Sequence, residues 1–303
     1  MLRSVLLYLS RQKQLRRWME TSPSAARLTS RFVAGLKLED ALVVTGRLQR
    51  ECILTSLDRL GESVTTFEEA AASRDGYLEI LHTAAARGFD ATISIKLTQF
   101  GLDLSQEVCR ANVEQLVRDA AGLGRMVEID MESSEYTDRT LKITTALHQA
   151  FGNVRAVVQA YLYRSAKDIE RLCALQLPVR LCKGAYKEPP SVAFQKKADV
   201  DGSYVSLMKM LLERGTYPGL ATHDERIINE AHRFTRERGI PPEKYEFQML
   251  YGIRRDIAKR FVEEGYRIRF YVPFGEAWYP YFMRRLAERP ANLIFLMRNF
   301  LRG

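Results

Sequence analysis

Near the C-terminus, four residues are spaced for one chemical task. Tyr281, Arg284, Arg285 and Glu288 fall at i, i+3, i+4 and i+7, so a helix presents all four on one face. Two adjacent guanidinium groups offer paired donor forks, a geometry suited to bidentate capture of a carboxylate. Glu288 is placed to orient either arginine, and Pro290 stops the helix soon afterwards. In isolation this is an exposed charged helix whose ion pairs contribute little. Its meaning depends on where the rest of the chain puts it.

The positioning elements are read from periodicity. Three helical stretches come first, at about 2–20, 24–36 and 38–50. Strand-like runs follow at 51–57, 92–97, 125–131, 154–163, 178–184, 219–223, 245–250 and 266–272, each leading into a helical stretch. Glycines such as Gly88, Gly122, Gly152, Gly215, Gly239 and Gly265 punctuate the helix ends. Eight such units with no linker or low-complexity break predict an α/β fold, a closed (βα)8 barrel rather than an open sheet. The division is an N-terminal helical extension over 1–50 and a barrel over 51–303. Sites in such barrels lie at the C-terminal ends of the strands. The Tyr281 helix directly follows the eighth strand, which places it over the barrel mouth.

Those strand ends carry Lys96, Asp130, Gln159 with Tyr161, Arg180 with Lys183, Thr222 with His223, Gln248, and Tyr271. Any one of them is explained as a solvated strand end. Together they are more than a purely structural barrel requires at one mouth. Lys96, Arg180 and Lys183 stand against Asp130, so the ring is cationic on balance. With Arg284 and Arg285 it suits an anion, a carboxylate or a phosphate. Gly184 and Ala185 leave the main chain after Lys183 open to a flat ring or a phosphate. The chain has neither G-x-G-x-x-G nor G-x-x-x-x-G-K-[ST], so a bound dinucleotide would not rest on a Rossmann turn or a P-loop.

Composition narrows the classes further. The chain has 303 residues, 46% hydrophobic and 27% charged, which is ordinary for a globular fold. The net charge of +9 is spread along the sequence without any zinc-finger, RNP-type or basic-region pattern, so nucleic acid is not an expected partner. Weak attraction to an anionic membrane surface fits the charge better. No apolar stretch reaches the roughly 18 residues of a membrane span. Cys52, Cys109, Cys173 and Cys182 form no C-x-x-C, and the four histidines form no H-E-x-x-H, so no metal site is expected.

At this point the motifs add up. SIKLTQFGLDL (94–104), VEIDMESSEYTD (127–138), VVQAYLYRS (157–165), VRLCKGAYKEP (179–189), LATHDE (220–225), EFQMLYG (246–252) and RFYVPFGEAWYPYFMRRLAERPAN (269–292) occur in the order typical of one family. The chain resembles proline dehydrogenases, specifically the short single-activity bacterial form, and nothing in it resembles the aldehyde dehydrogenase module fused to bifunctional members. The resemblance implies a distorted (βα)8 TIM-type barrel with FAD at the strand ends. It implies oxidation of L-proline to 1-pyrroline-5-carboxylate, with electrons passed to a quinone at the inner face of the cell membrane, the enzyme being cytoplasmic and peripherally attached. By motif, Arg180 approaches the flavin near N5. Met131, Gln159, Lys183, Gly184, Ala185, Thr222 and His223 line the FAD, with Gln248 and Glu288 counted on the cofactor side. Lys96, Arg284 and Arg285 grip the substrate carboxylate. Asp130 orients cationic groups or handles a proton. Tyr271, Leu250 and Tyr281 shape the pocket around the ring. Tyr251 departs from the pattern, standing where many members carry His. Two competing readings are a flavin barrel that uses folate and NAD(P)H, and a non-catalytic binding scaffold.

Overall fold

The computed structural model describes residues 31–61 and 63–288 together with Gln12, and side chains as far as Met283. The helices expected at 2–20 and over most of 24–36, and the side chains of Arg284, Arg285 and Glu288, lie outside the described residues. Residues 31–36, expected to end the second helix, form turns and bends instead.

Eight parallel strands close into a barrel in sequence order. They are β1 (Leu54–Arg59), β2 (Ala91–Ile95), β3 (Val127–Ile129), β4 (Val154–Gln159), β5 (Val179–Cys182), β6 (Gly219–Ala221), β7 (Glu246–Leu250) and β8 (Ile268–Phe274). Closure is made by β1 against β8, in register from Leu54 opposite Arg269 to Arg59 opposite Phe274. The helices are α1 (Leu38–Arg50), α2 (Phe67–Ala86), α3 (Gln106–Gly122), α4 (Thr137–Phe151), α5 (Ser165–Ala174), α6 (Lys197–Arg214), α7 (Glu225–Arg238), α8 (Arg255–Glu263) and α9 (Trp278–Glu288).

The local reasons are conventional. Thr66, Ser105 and Asp224 each cap a helix by accepting a backbone N–H in the first turn of α2, α3 and α7. Gly152 and Gly239 end α4 and α7 in left-handed backbone, as the punctuation predicts. Gly215 ends α6 in extended backbone and Gly122 is still helical, so those two do not act as left-handed caps.

Most strands are shorter than the apolar runs suggested, and β1 and β8 are shifted about two residues later. Lys96, Asp130, Lys183, Thr222 and His223 are therefore among the first residues past the ladder. Arg180, Gln248 and Tyr271 sit within strands instead.

The barrel is apolar on the outside of its wall and charged within. Leu57, Ile93, Ile95, Val127, Ile129, Leu181, Phe247, Met249, Phe270 and Val272 join the core shared with the helices. Burying this face supplies the main driving force, about 25 cal/mol per Å² of apolar surface. Residues at alternate positions point inward. α1 belongs to the same core through Ala41, Leu42, Val44 and Leu48 and packs on β1 and β8. It takes the place in the outer ring that a helix following β8 would otherwise fill. α9 is thereby freed to lie across the mouth. Its Trp278, Tyr281, Phe282 and Met283 form a second apolar cluster with Phe32, Val33, Leu60 and Ile253.

Candidate active site

The site is built from the barrel floor upward. Glu246, fully buried on β7, accepts from Arg155 Nη1 at 2.7 Å, Arg269 Nε at 2.8 Å and Nη2 at 3.0 Å, Gln248 Nε2 at 2.6 Å and Tyr217 Oη at 2.8 Å. Burial opposes ionisation of Glu246, but Arg269 and Arg155 outweigh it and hold the carboxyl well below its ordinary range. Glu128 on β3 stands one layer higher, between Arg155 and Arg180. Burial would raise it, yet Arg180, Arg155 and Arg269 bring it down to about 2. Gly219 makes room for this packing, because a Cβ there would lie 2.7 Å from Gln248 Nε2.

Arg180 forms the next layer. Its Nε donates to Gln248 Oε1, its Nη1 to Asp130 Oδ1 at 2.8 Å and Ser94 Oγ at 2.9 Å, and its Nη2 to Glu128. Burial works against the charge, but Glu128 and Asp130 raise the guanidinium above its ordinary value, so it is a permanent cation. The Tyr271 ring lies 5.3 Å from its Cζ, and the Tyr271 hydroxyl donates to Asp130 Oδ2 at 2.9 Å. Above this layer, Lys96 Nζ lies 3.3 Å from Asp58 and 3.9 Å from Asp130.

The interior is thus not the cationic surplus expected from the strand ends. Among the described residues, Lys96, Arg155, Arg180 and Arg269 meet the four carboxylates of Asp58, Glu128, Asp130 and Glu246. Asp58, Glu128, Arg155, Glu246 and Arg269 were not expected in the site from the sequence. Their signal was present as charge alternating with apolar residues in VEID, VRAVVQ, EFQML and IRFYV. Asp58 escaped because β1 was placed too early.

The other sequence-predicted residues divide into groups. Gln159 donates to the Glu132 carbonyl at 2.8 Å, and Glu132 in turn holds Thr98 in the loop after β2. Thr222 Oγ1 accepts from Asp224 N at 3.1 Å, and His223 Nε2 accepts from Leu250 N at 3.0 Å, tying the ends of β6 and β7 together. Lys183 is paired with Asp201 and Asp224. Gly184 is half-buried at φ +116°, where a Cβ would fall 2.5 Å from the Tyr161 ring. Ala185 beside it is exposed and Met131 is buried. Gln248 spends its hydrogen bonds inside the barrel and acts by holding Arg180. Leu250 and the buried Tyr281 meet in the apolar cluster under α9. Tyr251 is turned the other way and accepts from Arg47 at 2.8 Å.

Chemically, the mouth offers a fixed cation at Arg180, a Lys96 ammonium flanked by two carboxylates, and hydroxyl, imidazole and backbone groups on the β5 and β6 side. It can bind anions and a flat ring, and it contains groups able to exchange a proton.

The proline dehydrogenase family profile matches residues 41–298. The chain is 40% identical over 303 residues to proline dehydrogenase 1 of Bacillus subtilis subsp. natto, covering the full length of both. It is 40% identical over 281 residues to proline dehydrogenase of Deinococcus radiodurans, covering 91% of each. The crystal structure of proline utilization A from Bdellovibrio bacteriovorus inactivated by N-propargylglycine superimposes with a TM-score of 0.81 at 27% identity, over 87% of this chain and 33% of that one. The barrel, its mouth residues and these likenesses agree: the chain belongs to the proline dehydrogenase family.

Proposed function

We propose that this protein oxidises L-proline to 1-pyrroline-5-carboxylate with FAD as its cofactor and passes the electrons to a quinone at the membrane surface. The observation that carries the reading is Arg180. It is a buried cation on the inner face of β5, locked by Glu128, Asp130, Ser94 and Gln248. A fixed positive charge there suits a cofactor that becomes more anionic on reduction.

The residues present fit a flavin nucleotide. Gly184 has no Cβ on a backbone that already presses on the Tyr161 ring, so main chain rather than side chain faces the space over β5. Lys183, Thr222, His223 and Gln159 surround that stretch with donors and acceptors, and Met131 and Ala185 add small or soft apolar contacts. When bound, FAD supplies the two-electron acceptor. The protein's own part is to bind and orient. Lys96, with Arg284 and Arg285 from α9, holds the substrate carboxylate, which fixes the ring against the cofactor. Tyr271, Leu250 and Tyr281 wall the ring and exclude water. Asp130 keeps Arg180, Tyr271 and Lys96 in place. Glu288 orients the arginines from one turn further along α9. Cytoplasmic residence follows from the family reading, and the net positive charge supports peripheral attachment to the anionic inner membrane face.

The test is reconstitution with FAD followed by steady-state turnover. Retention of flavin absorbance through gel filtration and L-proline-dependent reduction of a soluble quinone are expected. A protein that binds flavin but accepts electrons only from NADH would instead favour the folate-type barrel.

A further inference from the structure

Asp58 ends the inward face of β1 and is 1% exposed. Lys96 Nζ lies 3.3 and 3.5 Å from its two oxygens. From α2, Tyr77 Oη reaches Oδ1 at 3.3 Å. Asp130, beyond β3, faces it across Lys96, and Tyr271 faces it from β8. Lys96, Asp130 and Tyr271 are the groups that act most on its charge.

The Tyr77 phenol has one proton and three acceptors within reach: the Ser94 carbonyl at 2.9 Å, the Arg59 carbonyl at 3.3 Å and Asp58 Oδ1 at 3.3 Å. Arg59 N–H donates to the same phenol oxygen at 3.1 Å. Ser94 is the nearest acceptor and the Asp58 contact is the longer one. With the phenol proton on Ser94, an ionised Asp58 Oδ1 faces a phenol lone pair, and a protonated Asp58 would donate to it. In that arrangement one additional proton completes the pair. Tyr271 reaches both carboxylates, but Asp130 is also held by Arg180, so of the two Asp58 leans more on Lys96. Burial pushes the Asp58 carboxyl above its ordinary value, Lys96 pulls it down, and Asp130 pushes it up again.

We propose that Asp58 is a proton store coupled through Lys96 to occupancy of the substrate site. The inference rests on the proline reading above. Proline arrives as a zwitterion. As its carboxylate engages Lys96, the hold of that ammonium on Asp58 weakens. One N–H bond of the substrate ammonium breaks and one O–H bond forms on Asp58, the proton passing by way of Lys96. No electrons move in this step. It leaves the amine neutral, with the lone pair that loss of hydride from the adjacent carbon requires. Asp58 does not touch the substrate and acts through Lys96.

A ring carboxylate that lacks the amine brings no proton, so Asp58 must draw one from the buffer. Cyclopentanecarboxylate is titrated into the FAD-loaded protein at about pH 7 by calorimetry, in buffers of differing ionisation enthalpy. Uptake approaching about one proton per ligand is expected for the native protein. In Asp58→Asn, a neutral isostere that can still donate to Tyr77, the ligand should bind with uptake lost. Binding to the native protein without proton uptake, or undiminished uptake in Asp58→Asn, overturns the proton store alone. Failure of the ligand to bind at all removes the carboxylate site itself, and the proline reading with it.

Discussion

The floor and the mouth of this barrel are both charged, but they hold their charges differently. On the floor, Glu246 takes five hydrogen bonds, and Arg155 and Glu246 are fully buried. At the mouth, Lys96 stands 3.3 and 3.9 Å from two carboxylates, with side-chain exposures of 14% for Lys96 and 15% for Asp130. The floor behaves as a scaffold, since its charges are shut away from water and compensated only by one another and by buried polar groups. The mouth keeps Lys96 and Asp130 nearer solvent, with Lys96 at looser distances from its partners, where a ligand carboxylate can replace one partner by another. Arg180 spans the two, anchored below by Glu128 and facing the site above.

Breaking the floor should have the largest effect on folding. Glu246→Gln leaves Arg155 and Arg269 buried with Glu128 as their remaining carboxylate, at a cost of about 3–5 kcal/mol. Urea unfolding should show that loss as a large drop in midpoint, and a near-native midpoint would mean the floor charges are dispensable.

The next effect is a pH dependence. The fold holds the Glu128 carboxyl at about 2 against an ordinary 4.5. Its contribution is therefore whole above about pH 4.5 and is lost as pH falls through about 2, on the order of 3 kcal/mol in all. Denaturant midpoints measured across that interval should decline, and Glu128→Gln should flatten the decline.

At the mouth, Gly184→Ala meets both a positive φ and the Tyr161 ring. It should cost about 1–3 kcal/mol and reduce flavin retention more than its modest destabilisation would suggest. Equal retention would place the cofactor away from β5.

The smallest effect is expected outside both regions. Arg164 pairs with Asp138 and Asp168 on the surface, with its side chain 40% exposed. Solvent screens such pairs, so Arg164→Ala should change stability by less than about 1 kcal/mol, as read from thermal unfolding.

Much of this was legible in the sequence. The alternation of strand and helix gave eight units; Lys96 and Asp130 were found because they close apolar runs, and Arg180 and Tyr271 as polar residues inside them. What stayed hidden was inward direction. A barrel strand reads as apolar because its outer face is buried under helices, so charges at every second position, such as Glu128, Arg155, Glu246 and Arg269, look like interruptions rather than a lining. Their compensation is set by neighbours far apart in the chain, as with Arg155 and Glu246, 91 residues apart. The position of α9 was legible from its place after β8. The role of α1 in filling the vacated outer position was not, because nothing local distinguishes a ring helix from an extension.

The central claim is that a charge-lined barrel fixes Arg180 beside a flavin and brings proline to it. Anaerobic mixing of L-proline with the FAD-loaded protein tests it most directly. Bleaching of the oxidised flavin absorbance is expected, with Arg284→Ala and Arg285→Ala needing more proline while retaining FAD. A flavin that stays yellow under saturating L-proline would contradict the claim.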